Sequence, residues 1–315
     1  MPNPASVVRY RIRNWRAYNR ALINRGRLTV WFDEHAIAGW RNTEPAIGPG
    51  APRTYADLAI ECTLVFKSVY HLSLRAAQGF LSSVMELMRL PLPIPDYSTV
   101  SRRQGALHVH MSALPQSDPR HVVIDATGLR VYGAGEWHVW KHRVSRRRTW
   151  RKLHLGIDET TKEIVAVELT GSRVHDSQPL PALLEQIPDP IEQVSGDGAY
   201  DTQTCYEAVL QRHATPTFVP RRTARPCSTE DPTGWRAARN GILEQIAVHG
   251  RSVWRALSGC TRQSIAENTM FRFKQMFGGR LWAWGLETQR AEARVKCAVL
   301  NHMTQLGMPE SVRVF

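Results

Sequence analysis

Between residues 121 and 220 the apolar pattern runs at a period of two, broken by short helical stretches, and this limits the fold more than any other feature. His121-Val-Val-Ile-Asp is a short apolar run that ends in a carboxylate. Leu153-His-Leu-Gly-Ile alternates, Asp158-Glu-Thr-Thr-Lys makes a turn, and Glu163-Ile-Val-Ala-Val-Glu-Leu-Thr alternates again. Two such segments around a polar turn predict an antiparallel hairpin. Helix signals return at residues 179 to 187, a strand runs from Glu192 into Asp197-Gly-Ala-Tyr-Asp, and a helix over 202 to 212 leads to Thr217-Phe-Val-Pro. The order β-β-β-α-β-α-β predicts an α/β domain with a mixed sheet.

The flanking sequence reads as helical. Residues 55 to 70 place Leu58, Cys62, Val65, Phe66 and Val69 on one face. Ser73 is a predicted N-cap for a helix over 74 to 88, which Pro91, Pro93 and Pro95 stop. Asp96-Tyr-Ser-Thr-Val opens a short basic helix, with Ser98, Arg102 and Arg103 as candidate DNA contacts. Residues 73 to 105 then form a candidate helix-turn-helix, an ordinary packed helical pair being the plain alternative. Arginine-rich sequence of weaker periodicity fills about 220 to 258, and helices are expected over 264 to 277 and 286 to 306.

Charge narrows the partner. The 315 residues carry 41 Lys and Arg against 28 Asp and Glu, a net charge of +13. Only six of the cations are lysine. Such an excess points to a polyanion. No apolar stretch approaches the ~20 residues needed to cross a bilayer, so a membrane-spanning role is not expected, and the polyanion is either nucleic acid or an anionic membrane surface. Seven arginines and no acid occupy the first 27 residues, with Trp15 and Tyr18 among them, either a solvated arm or a phosphate contact. The five cysteines are scattered without a CxxC pair, which fits a reducing cytoplasm. His138 and His142 have zinc-pair spacing but no evident third ligand. The Ser145 to Arg148 cluster between Trp140 and Trp150 makes Arg147 and Arg148 candidate phosphate contacts.

Three acids stand out by position: Asp125 and Asp197 at predicted strand ends and Glu267 in the first turn of a predicted helix. Gathered at one sheet edge they would repel each other without a divalent cation, the arrangement of metal-dependent phosphoryl-transfer sites. Asp158, at another strand end, and Asp176, after a predicted strand Arg173-Val-His, compete with them.

Four stretches carry a resemblance: Val123-Ile-Asp-Ala-Thr-Gly-Leu, Trp150-Arg-Lys-Leu-His-Leu-Gly-Ile-Asp, Gly196-Asp-Gly-Ala-Tyr-Asp and Ser264-Ile-Ala-Glu-Asn-Thr-Met-Phe-Arg-Phe-Lys. In order and spacing they resemble the DDE transposases of bacterial insertion sequences, the IS-five type, whose catalytic domain is ribonuclease H-like. The resemblance implies a helical DNA-binding region over 1–115 and a ribonuclease H-like catalytic domain over 118–306, with an arginine-rich insertion at about 220–258. It also implies Asp125, Asp197 and Glu267 as the catalytic, metal-holding triad, two Mg2+ ions replaceable by Mn2+, and Lys274 as a DNA contact. Arg262 and Arg272 on either side of Glu267 are further candidate contacts. The expected partners are double-stranded DNA, as terminal repeats and target, and further copies of the chain, on the nucleoid. The signature Tyr-x2-Arg-x3-Glu-x6-Lys is incomplete: its tyrosine falls on Cys260 and its arginine on Gln263, beside Arg262. These departures leave open a catalytically impaired DNA-binding copy; a metal-dependent nuclease of the same fold is a further alternative.

Overall fold

The computed structural model describes residues 9–32, 34–43, 53–109, 111, 113–131, 149–228 and 233–314. In chain order the first elements are β1 (Arg9–Ile12), α1 (Trp15–Asn24), α2 (Leu28–Trp31), α3 (Glu34–Ala38), α4 (Asp57–Val69), α5 (Leu74–Leu87) and α6 (Tyr97–Arg103). Ser73 caps α5 by accepting from the Ala76 N–H, and Asp96 caps α6 through the Ser98 N–H, each satisfying a donor that the first turn leaves free.

The sheet region follows: β2 (Arg120–Val131), β3 (Trp150–Asp158), β4 (Ile164–Gly171), α7 (Leu180–Glu185), β5 (Ile191–Gly196), α8 (Gln203–Gln211) and β6 (Thr215–Phe218). The chain closes with α9 (Trp235–His249), α10 (Arg251–Leu257), a 3-10 turn (Cys260–Arg262), α11 (Gln263–Phe277), β7 (Arg280–Leu281), α12 (Leu286–Leu306) and β8 (Ser311–Val314). The strands lie in the order β4-β3-β2-β5-β6, with β7 against the far end of β2. β2, β3 and β4 pair antiparallel, whereas β5 and β6 add in parallel. This is a mixed sheet with flanking helices, in agreement with the α/β fold class that the resemblance implied.

Alternation along β2 sends Val123 and Leu129 into one apolar cluster and Val122 and Ile124 into the other, as a pleated strand must. The first cluster also holds Trp31, Phe32, Phe66 and Leu81 from the helical first part of the chain, with Phe273 of α11 and Leu300 of α12. The second takes Leu183, Tyr206 and Val209, together with Ile242 and Trp254 from the arginine-rich stretch.

Several local expectations differ from the structure. Asp125 lies within β2, not at its end, because β3 continues to pair with β2 out to Arg130 opposite Trp150. Only the parallel ladder with β5 stops short of it, at Val123 opposite Ser195. Glu267 is one turn inside α11, because the helix begins at Gln263. Residues 173–176 form a turn after β4 and no strand. The arginine-rich stretch contains the helices α9 and α10, and Arg239 fastens α9 to Asp201 at 2.8 Å. The basic segment at the start includes a strand: β1 pairs antiparallel with β8, from Arg9 opposite Val314 to Ile12 opposite Ser311.

Candidate active site

Parallel pairing of β2 with β5 decides where two of the acids go. Val123 stands opposite Ser195, so carrying the register two residues onward brings Asp197 abreast of Asp125. Asp197 leaves the strand as N-cap of the 3-10 turn Gly198–Tyr200, accepting from the Ala199 N–H at 2.9 Å. Asp125 accepts from the Ala126 N–H at 2.8 Å. Glu267 arrives on α11, whose first residue, Gln263, donates from Nε2 to the Ile124 carbonyl at 3.1 Å. Residues four apart share a helix face, so Glu267 follows Gln263 toward the same part of β2.

Electrostatics ties these acids together. Burial raises the Asp125 carboxyl to about 6, and Asp197, Glu267 and Asp176 push it the same way against the Ala126 N–H. Asp176 thus joins as a fourth acid, held by Lys152 at 2.9 Å. Tyr200 lies buried beside Asp125, Asp176 and Asp197, and burial with those charges holds its phenol well above the ordinary tyrosine range. Its hydroxyl has no partner among the described residues. A cavity of about 680 Å³ between Lys67, His71, Phe277 and Trp282 is lined by none of these acids.

An all-carboxylate donor set with uncompensated charge suits a hard divalent cation and not a soft one. Among the described residues, no three His, Cys, Asp or Glu stand close enough together to hold a metal. The acids therefore feel one another but are not drawn into a closed ligand cage. The donor chemistry fits a divalent ion and the spacing remains open.

Comparison with known families places the chain. Two family models, each described as a transposase DDE domain, match residues 116–301 and 23–134. The first spans more than half of the chain and holds all three acids. The chain belongs to the DDE transposases. Among solved structures, a piggyBac transposase synaptic complex with hairpin DNA is 10% identical over 90% of this chain and 81% of that one, with a TM-score of 0.26.

The remaining candidate residues of this transposase fall into three groups. Lys274 is exposed on α11, about 10 Å along the axis from Glu267 at 1.5 Å per residue. Arg102 is exposed and reaches back to the Ser98 carbonyl at 3.3 Å, and Ser98 lines a small cleft with Arg75, Tyr97 and Arg102. Arg262 is half exposed and paired with Glu159 at 2.9 Å. Two others turn inward: Arg103 binds Asp57 and the Tyr55 carbonyl, and Arg272 donates to Thr304 at 2.9 Å. Burial and the neighbouring Arg25 lower Arg272 to about 10. Arg147, Arg148, His138 and His142 lie outside the described residues.

Sequence reasoning missed Tyr200 as a neighbour of the acids and treated Asp176 only as a competitor. The run Gly196-Asp-Gly-Ala-Tyr-Asp held the signal for Tyr200, three residues after Asp197 in a tight turn. Nothing local marked the Lys152–Asp176 pair, which joins β3 to the turn after β4.

Proposed function

We propose that this transposase cuts DNA at the ends of an insertion sequence and joins the freed ends to a target by metal-dependent phosphoryl transfer. The observation that carries the reading is that the matched DDE domain spans all three acids, with the Asp125 carboxyl raised by burial and further by Asp197 and Glu267. Asp125, Asp197 and Glu267 would hold two Mg2+ ions, with Mn2+ able to substitute. Bound there, the ions supply activation of the attacking oxygen and stabilisation of the leaving 3′-oxygen.

The protein's own groups position the strand. Lys274, two turns from Glu267 on one face, grips a phosphate beside the acids, and Arg262 and Arg102 extend the contact along the backbone. Tyr200 stays protonated beneath the acids and can donate a hydrogen bond without adding charge. Displacement in line at phosphorus requires no covalent protein–DNA intermediate. The helices α5 and α6 serve in end recognition within the 1–115 region. Two ends cut in concert call for a dimer or larger assembly on double-stranded DNA, acting on the nucleoid. No helix among the described residues is long and apolar enough to cross a membrane.

The test is Asp125→Ala. Cleavage of element-end DNA in Mg2+ is expected to disappear while end binding persists; a variant that still cuts removes Asp125 from the site. Joined products distinguish a transposase from a nuclease of the same fold. Binding with no nicking by the wild type, in Mg2+ or in Mn2+, would favour an impaired copy.

A further inference from the structure

We infer that Gln263 is a positioning residue for Glu267, and that its amide takes over at the place where the family signature has an arginine. The inference rests on the reading of Asp125 and Glu267 as partners in the metal-dependent site. Three ties fasten the entry of α11. Cys260, 1% exposed, points its thiol at the Thr217 carbonyl of β6 at 3.9 Å. Arg262 pairs with Glu159 beyond the end of β3 at 2.9 Å. Gln263 donates to the Ile124 carbonyl of β2 at 3.1 Å. The thiol is a weak donor, and the Arg262 pair is half exposed and so weakened by solvent.

The Gln263 bond differs from both in where it lands. Its acceptor belongs to the residue immediately before Asp125, just past Val123, where the parallel ladder with β5 ends. There the amide meets a strand carbonyl and fixes the first turn of α11 against the strand that carries the first acid. Glu267 is one helical turn farther on, so any slip of that turn is passed to its carboxylate. The donor role also fixes the amide's orientation, leaving Oε1 buried with no partner among the described residues. A buried acceptor without a donor is costly, and such exceptions to local satisfaction cluster at functional sites. At both departures from the signature a side chain still reaches the sheet, Cys260 weakly through its thiol and Gln263 through its amide.

The experiment compares Gln263→Met, which keeps length without a donor, with Gln263→Lys, which can still donate to the Ile124 carbonyl. On pre-bound element-end DNA in Mg2+, the Met variant is expected to cleave about 100-fold more slowly in a single turnover, the scale of a 1 Å misplacement. Its end-binding Kd is expected to stay at the wild-type value, and the Lys variant to cleave near the wild-type rate. Hydrogen exchange over residues 266–270, measured without DNA or metal, is expected to rise in the Met variant and not in the Lys variant. Wild-type cleavage by the Met variant, parallel loss of binding and cleavage, or equal failure of Lys and Met would each overturn the inference. Should the wild type bind ends and never cut, the catalytic reading fails instead. The exchange comparison then judges the anchor alone, and unchanged exchange in the Met variant overturns it.

Discussion

Asp125 shows how a residue's place in a sheet alters its chemistry. An unperturbed aspartate titrates near about 3.9, and burial with three neighbouring acids carries this one to about 6. Between those values the folded, metal-free chain holds a proton that the unfolded chain has released. Its contribution to stability is therefore greatest below the lower value, falls as pH rises through the window, and stays low above it. Asp125→Asn is expected to raise the thermal midpoint of the metal-free protein at pH 7, the gain shrinking to nothing near pH 4. A gain independent of pH would show that the carboxyl is not held up. His154 shifts the opposite way, lowered to about 4 by burial, so only the difference between wild type and variant isolates Asp125. None of this was legible in Val-Ile-Asp-Ala-Thr, which marked the residue but not its neighbours.

Among the elements, α12 was legible to its ends and α11 nearly so, because apolar positions recur at helical spacing without a breaker until Gly278 and Gly307. Their polar interior was less legible. Glu292 of α12, 3% exposed, accepts from the Trp282 and Ala283 N–H groups and pairs with Lys296 at 2.6 Å. On sequence alone, Glu and Lys four apart suggest an exposed helix pair worth tenths of a kcal/mol. The structure instead buries the pair and uses it to hold the exit of β7. Glu292→Ala is expected to cost about 3–5 kcal/mol in chemical denaturation, since it strands a buried ammonium and two N–H groups. A loss below about 1 kcal/mol, the scale of an exposed pair, would contradict that burial. In the arginine-rich stretch the periodicity was too weak to announce α9 and α10. There the tertiary contacts of Ile242, Trp254 and Arg239 with the sheet region specify the helices.

At the scale of the whole molecule, the first 120 residues hold 15 basic against 8 acidic groups, a surplus suited to a DNA backbone. That segment does not bury its apolar side chains alone. Trp31, Phe66 and Leu81 share one cluster with Val123, Leu155 and Leu300, and β1 closes against β8 at the opposite end of the chain. Heat unfolding is therefore expected as one transition, with far-ultraviolet circular dichroism and tryptophan fluorescence coinciding. Two separated transitions would show that the helical and sheet regions fold as independent units.

By itself the sequence determined the alternation of strands and helices and a polyanionic kind of partner, and its resemblance to the DDE transposases singled out three acids in order. These depend on local periodicity, charge and residue spacing, which a chain carries before it folds. Tertiary structure decided that Asp125 sits within a strand at the point where its parallel neighbour ends. It also decided that Asp176 and Tyr200 crowd the site, that Arg103 and Arg272 turn inward, and that Gln263 holds its helix to β2. Each of these joins residues far apart in the chain, through strand register and helix docking that no local pattern encodes.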